Sequence, residues 1–234
     1  MWSHTAGAFD ADLETIRSRI FAMGGLVEQQ IADAGTALIK RDAEIARSVI
    51  AIDAEVDLVL REVETRVVET IARRQPLAVD LREIVSAFHI ANDLERTGDL
   101  AKNLCKRVLA LDEHVPEILI SQMTDLSMLV LGRLRRVLDS YAERVDSKAV
   151  EVWENDREID EVHNSIFREL LVFMMSDPRN ITSSSHLLFC LKNIERLGDH
   201  ATNIAESVHY MITGDRFVAA RPKGTDASLQ ITAQ

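Results

Sequence analysis

The sequence predicts an all-α fold: two tandem three-helix bundles, six long antiparallel helices related by internal duplication. Three observations predict it. Glycine (9), proline (4) and aromatic residues (5%) are scarce among 234 residues, a texture that suits helices and not turn-rich sheets. Apolar residues recur at three- and four-residue spacing almost throughout, the period of a helix with one buried face. The second half also repeats the first, with NDLERTGDLAKN at 92–103 answered by KNIERLGDHATN at 192–203. A matched internal block of this kind marks a duplicated structural unit. With 47% hydrophobic residues, a chain this long can bury a core without disulfides or a structural metal.

Breaks in the apolar pattern place the helices at 8–39, 42–74, 80–110, 117–144, 147–176 and 184–213. Asp42, Asp80, Ser147 and Ser184 stand at the starts as N-caps, and Glu83 follows Asp80 at capping-box distance, the pattern that satisfies the free N–H groups of a first turn. Pro76, Pro116 and Pro178 fall in connections, where a missing N–H does no harm. Gly214 suits the last C-cap. The expected units are therefore 8–110 and 117–213, followed by a loose polar tail over 215–234.

Thirty-eight acidic and 27 basic residues give a net charge of -11, which argues against nucleic acid as a partner because its backbone must be neutralised by cations. Cys105 and Cys190 are isolated, so no zinc ribbon, redox pair or disulfide framework is expected. The first residues have neither a basic nor an apolar leader region, and the longest apolar run is Leu126 to Leu131. A cytosolic protein that meets membranes only through partners is expected.

The acidic residues are patterned. Glu95, Asp99 and Asn103 lie four apart, as do Glu195, Asp199 and Asn203, with Glu206 close behind. On a helix each set forms an oxygen-rich stripe. Each stripe borders a core face, Ala91, Leu94, Gly98, Ala101 and Cys105 in the first half. On the second helix Asp53, Asp57 and Glu64 flank a seam of Val49, Val56, Leu60, Val63 and Val67, and Asp156 with Asp160 repeats the D-x-x-x-D pair 103 residues later. Antiparallel neighbours place residues equidistant from a turn side by side. Asp57 with Asp99, and Asp53 with Asn103, centre on the Pro76 connection; Asp160 with Asp199, and Asp156 with Asn203, centre on the Pro178 connection.

Acids converging in this way repel one another unless a cation neutralises them. The ten residues Asp53, Asp57, Glu95, Asp99, Asn103, Asp156, Asp160, Glu195, Asp199 and Asn203 are therefore the candidate metal ligands. Oxygen donors favour Mg, Mn, Ca or iron over a structural zinc site. His163, one turn beyond Asp160, is within reach of the same ion, whereas the other histidines are not repeated. Gly98 and Gly198 each cost a helix about 1 kcal/mol relative to alanine, and close helix approach beside the acids accounts for their recurrence.

Two tandem three-helix units, each with an E-x-x-x-D motif on the third helix (Glu95 with Asp99, Glu195 with Asp199), resemble the PhoU family over residues 8–213. The resemblance implies a cytoplasmic homodimer that binds divalent or trivalent metal ions such as iron, Mn, Mg or Zn. It further implies a negative regulator of the phosphate regulon and of phosphate uptake, with no catalytic activity. The expected partners are a phosphate-sensing histidine kinase and the ATPase subunit of the phosphate ABC transporter. The halves differ where Lys192 answers Asn92 and Glu206 answers Lys106, so the two centres need not be equal. The competing readings are a di-metal carboxylate enzyme, disfavoured because such centres take a Glu-x-x-His from each of two helices, and a metal-free helical adaptor.

Overall fold

A computed structural model describes residues 3–111 and 115–222. Helices α1 (Ser3–Lys40), α2 (Ala43–Arg74) and α3 (Val79–Val108) form the first bundle. The second consists of α4 (Glu117–Glu143), α5 (Asp146–Glu154), α6 (Asp156–Ser176) and α7 (Ile181–Thr213), with a short 3-10 turn, Pro178–Asn180, leading into α7. No strand occurs among the described residues.

The predicted fifth helix is thus two consecutive helices, broken at Asn155. The Asn155 side chain bonds the carbonyl of Glu151 at 2.7 Å, the local competition with the helix ladder that short amide side chains offer. Asp156 opens the new helix with its side chain buried. Asp42 caps α2 as expected, accepting from the N–H groups of Glu44 and Ile45. Glu83 does not cap α3. It lies buried between Arg17 of α1, at 2.8 Å, and Arg144 beyond α4, at 2.5 Å, because its position faces the core and only guanidinium partners make burial of a carboxylate tolerable. Ser147 and Ser184 likewise stand inside α5 and α7 and not at their caps. Gly214 ends α7 with φ +86, the left-handed cap that glycine adopts without strain.

The bundles join through two antiparallel pairs. In α1 and α4, Glu28 meets Arg135 at 2.8 Å, and Leu138 fills the space beside Gly24. In α3 and α7, Arg82 bonds the Met211 carbonyl, Asp93 meets His200 and Arg107 covers Phe189. One continuous core results, with Ile20, Met23 and Ile31 of α1, Leu94 and Leu104 of α3, and Met123 and Leu131 of α4 fully enclosed. Cys105 and Cys190 are buried, unpaired thiols, pushed up to about 12 chiefly by burial.

Gly98 and Gly198 mark the tightest approaches. A Cβ on Gly98 would stand 2.8 Å from Gln30 Oε1 and 3.6 Å from Val56; one on Gly198 would stand 2.8 Å from Ile159 and 3.7 Å from Val130. Val56 and Ile159 are repeat mates at offset 103, and Gln30 and Val130 belong to the corresponding helices α1 and α4. The glycines therefore serve the same three-helix contact in each bundle.

Candidate metal centres

In the first bundle α2 and α3 meet in the register read from the sequence. Asp53 is joined to Lys102, the neighbour of its expected partner Asn103. Lys102 is the residue that sequence reasoning missed: its Nζ donates to Asp53 Oδ2 at 2.5 Å and also to Asp99, bridging the two helices. Burial opposes the lysine charge, yet the hydrogen bonds to Asp53 and Asp99 outweigh it and hold the ammonium above its ordinary value. Glu95 is pushed above the usual carboxylate range by burial first, then by the carboxylates of Asp99 and Asp57 and, more weakly, Asp53. The other three acids of this half therefore all act on Glu95.

The second bundle repeats the arrangement with different cations. Asp156, 4% exposed, accepts from Thr202 Oγ1 at 2.8 Å, again one residue from its expected partner, Asn203. Thr202 is the repeat mate of Lys102 and supplies a hydroxyl where the first half supplies an ammonium. The missing positive charge comes from Arg221, which bonds both oxygens of Asp156 at 2.7 Å and Asp199 at 2.8 Å. Burial works against its charge, but Asp156 above all, with Asp199 and Glu206, overrides it. Lys192, which replaces Asn92 in the repeat, pairs with Glu195 at 2.7 Å.

Arg221 belongs to the segment expected to be a loose tail. From Asp215 to Pro222 that segment lies against α5 and α7 as a strap. Phe217 is stacked between Trp153, 4.3 Å away, and His209, 4.1 Å away, and Trp153 Nε1 donates to Glu206 at 3.3 Å. Composition alone misleads here, because one polar residue of the segment, Arg221, answers a buried acid. Residues 223–234 of the expected tail lie outside the described residues.

Asn103 and Asn203 leave the stripes. Asn203 donates to Asp93 Oδ1 of α3 at 3.3 Å, and Asn103 lines a cleft with Lys106 and Asn193. The cause is helical drift: residues eight apart are rotated by about 80°, so a stripe that starts over the seam ends over the next interface. Asp93 there also meets His200 Nδ1 at 2.9 Å; these polar contacts across the bundles had no warning in the repeat. His163 lies where the charges of Glu195 and Asp160 act on it, but burial dominates and holds its imidazole below the ordinary value.

Among the described residues, no three His, Cys, Asp or Glu side chains converge as they stand on a point that could hold a metal ion. In each bundle a side-chain cation takes the place between carboxylates of two facing helices. The donors are hard oxygens suited to a multivalent ion, and Lys102 and Arg221 stand in for its charge.

The duplicated helical architecture has clear relatives. The PhoU domain family model matches residues 20–108 and again 123–208. A phosphate-specific transport system accessory protein PhoU homolog of Rhizobium meliloti (strain 1021) is 50% identical over 222 residues, 94% of this chain and 94% of that protein. The crystal structure of PhoU from Pseudomonas aeruginosa matches with a TM-score of 0.83 at 36% identity, covering 88% of this chain and 100% of that one. The phosphate transport system regulatory protein PhoU from Streptococcus pneumoniae also matches at 0.83, with 27% identity over 90% of this chain and 100% of that one. Two family domains in tandem, on a fold shared along nearly the whole length, show that the chain belongs to the PhoU family.

Proposed function

We propose that this chain regulates phosphate uptake as a metal-binding, cytoplasmic homodimer. It restrains the phosphate regulon as an adaptor between the ATPase subunit of the phosphate ABC transporter and the phosphate-sensing histidine kinase. The phosphate part is carried by relatedness, along 94% of the chain, to a phosphate-specific transport system accessory protein. An accessory and regulatory role in the relatives supports a non-catalytic one here. Among the described residues no helix is long and apolar enough to cross a membrane, which agrees with membrane contact through those partners. Deleting the gene in the source bacterium is expected to raise a phosphate-responsive reporter in phosphate-rich medium. Equal output in rich and starved medium, with and without the gene, would sink the regulatory reading.

The metal part is supported by carboxylates of two facing helices that share one cation in each bundle. Iron, Mn, Mg or Zn would be held by Asp53, Asp57, Glu95 and Asp99 in the first centre and by Asp156, Asp160, Glu195 and Asp199 in the second. Asn103 and Asn203 are left out because they face the interface between the bundles. Asp99→Ala combined with Asp199→Ala is expected to lower bound metal at least severalfold by elemental analysis while helicity by circular dichroism is unchanged. Both residues lie outside the fully buried core, so their loss should not unfold the bundles. Undiminished metal content in the double variant would remove these residues from the site.

A further inference from the structure

The antiparallel pairing of α3 with α7 creates two clefts related by the repeat: a closed one, crossed by the chain's own strap, and an open one, which no strap crosses among the described residues. The closed cleft is lined by His89, Asp93, Asn203, Glu206 and Ser207, together with strap residues. The open one, about 480 Å³, is lined by Phe189, Asn193, Asn103, Lys106 and Arg107. Each of these five is the partner of one of the first five at an offset of 100 residues. The two clefts are therefore one shape used twice, with the charge inverted. Asp93 and Glu206 make the closed cleft acidic; their mates Asn193 and Lys106, with Arg107 beside them, make the open one basic.

The closed cleft shows what this shape accommodates. An extended segment crosses it, setting Phe217 on the aromatic rings of Trp153 and His209 and Arg216 over Tyr210, while Arg221, also on its wall, bonds Asp156 and Asp199. The open cleft offers the complementary features. Leu109, the repeat mate of His209, is 42% exposed, and Phe189, 55% exposed, lies under the Arg107 guanidinium at 4.5 Å. Phe189 also forms one wall of an adjoining apolar pocket of about 430 Å³ with Phe167 and Leu188. Positive charge beside exposed aromatic surface, on a chain of net charge -11, favours an anionic occupant with an apolar anchor.

We propose that the open α3/α7 cleft docks an extended acidic segment of a partner protein, one with an apolar or aromatic side chain flanked by carboxylates. A second copy's strap is unsuited, since Arg216 and Arg221 would meet Lys106 and Arg107. The inference does not rest on the metal reading or on phosphate regulation.

The probe is a fluorescein-labelled peptide of residues 215–222 carrying R216E and R221E, compared with the unaltered peptide, in anisotropy titrations against the full chain. The charge-reversed peptide is expected to bind saturably and at least about tenfold more tightly than the unaltered one, a difference of about 1.4 kcal/mol. Lys106→Glu with Arg107→Glu should weaken it by about tenfold or more, and Phe189→Ala should weaken it with both charges intact. Circular dichroism of each variant confirms the fold. Absence of binding, equal binding of the two peptides, or binding indifferent to these variants overturns the proposal. So does equal displacement by inorganic phosphate at constant ionic strength, which would reduce the cleft to a simple anion site.

Discussion

Arg221→Ala is expected to destabilise the fold by about 3 kcal/mol, the lower end of the cost of leaving a buried charge without its partner. Arg221 neutralises Asp156, which is 4% exposed, and reaches Asp199 from the same guanidinium. Its removal leaves Asp156 with only the Thr202 hydroxyl among its hydrogen bonds, facing a second carboxylate. Solvent entering beneath the loosened strap limits the loss. The converse change, Asp156→Ala, should cost less, about 1 to 2 kcal/mol, because Arg221 keeps Asp199 and sits on a segment that can turn toward water. Urea unfolding of the two variants checks the order. A second readout is local: Phe217 stacks on Trp153, so Arg221→Ala should change the tryptophan emission before any unfolding. Equal stabilities for wild type and Arg221→Ala would mean that the strap contributes nothing to the second bundle.

Lys102→Met is expected to cost about 2 kcal/mol and to be rescued by a divalent cation. The methionine keeps the apolar stem of the lysine but removes the charge that links α2 to α3 through Asp53 and Asp99. The cost is set below that of Arg221→Ala because Asp99 is 43% exposed, and water screens what the ammonium no longer does. Glu95, already pushed up by burial and by its acidic neighbours, then faces Asp53 and Asp99 without the lysine that pairs with them. Added Mn²⁺ should raise the thermal midpoint of Lys102→Met more than that of the wild type, since binding to the folded state alone stabilises it by mass action. Identical shifts in both proteins would show that the carboxylates do not take up the ion in place of the lysine.

Both predictions concern residues that the repeat left unmatched. Lys102 stands opposite Thr202 inside an otherwise well-matched block, and that single mismatch was the available signal that the two centres are neutralised differently. Arg221 gave no such signal, because it lies beyond the last helix in a polar stretch without periodicity. Only the Gly214 cap, turning the chain back along α7, brings it to Asp156. The acid pairs on α2, α3, α6 and α7 were legible because helical spacing and hairpin register are local properties. Glu83 was misread for the complementary reason: capping-box spacing is local, but its partners, Arg17 and Arg144, are distant in sequence.

The helices, the duplication and the register that sets Asp53 beside α3 and Asp156 beside α7 are written in local sequence. Periodicity and turn position carry that information along the chain. The tertiary structure alone decided which cation answers each acid cluster, that Asn103 and Asn203 drift from the stripes to the interface, and that one of two equivalent clefts is strapped while the other is open. Those outcomes depend on which helix faces meet in space and where the chain returns after its last turn, and burial makes such long-range pairings compulsory wherever a carboxylate leaves water.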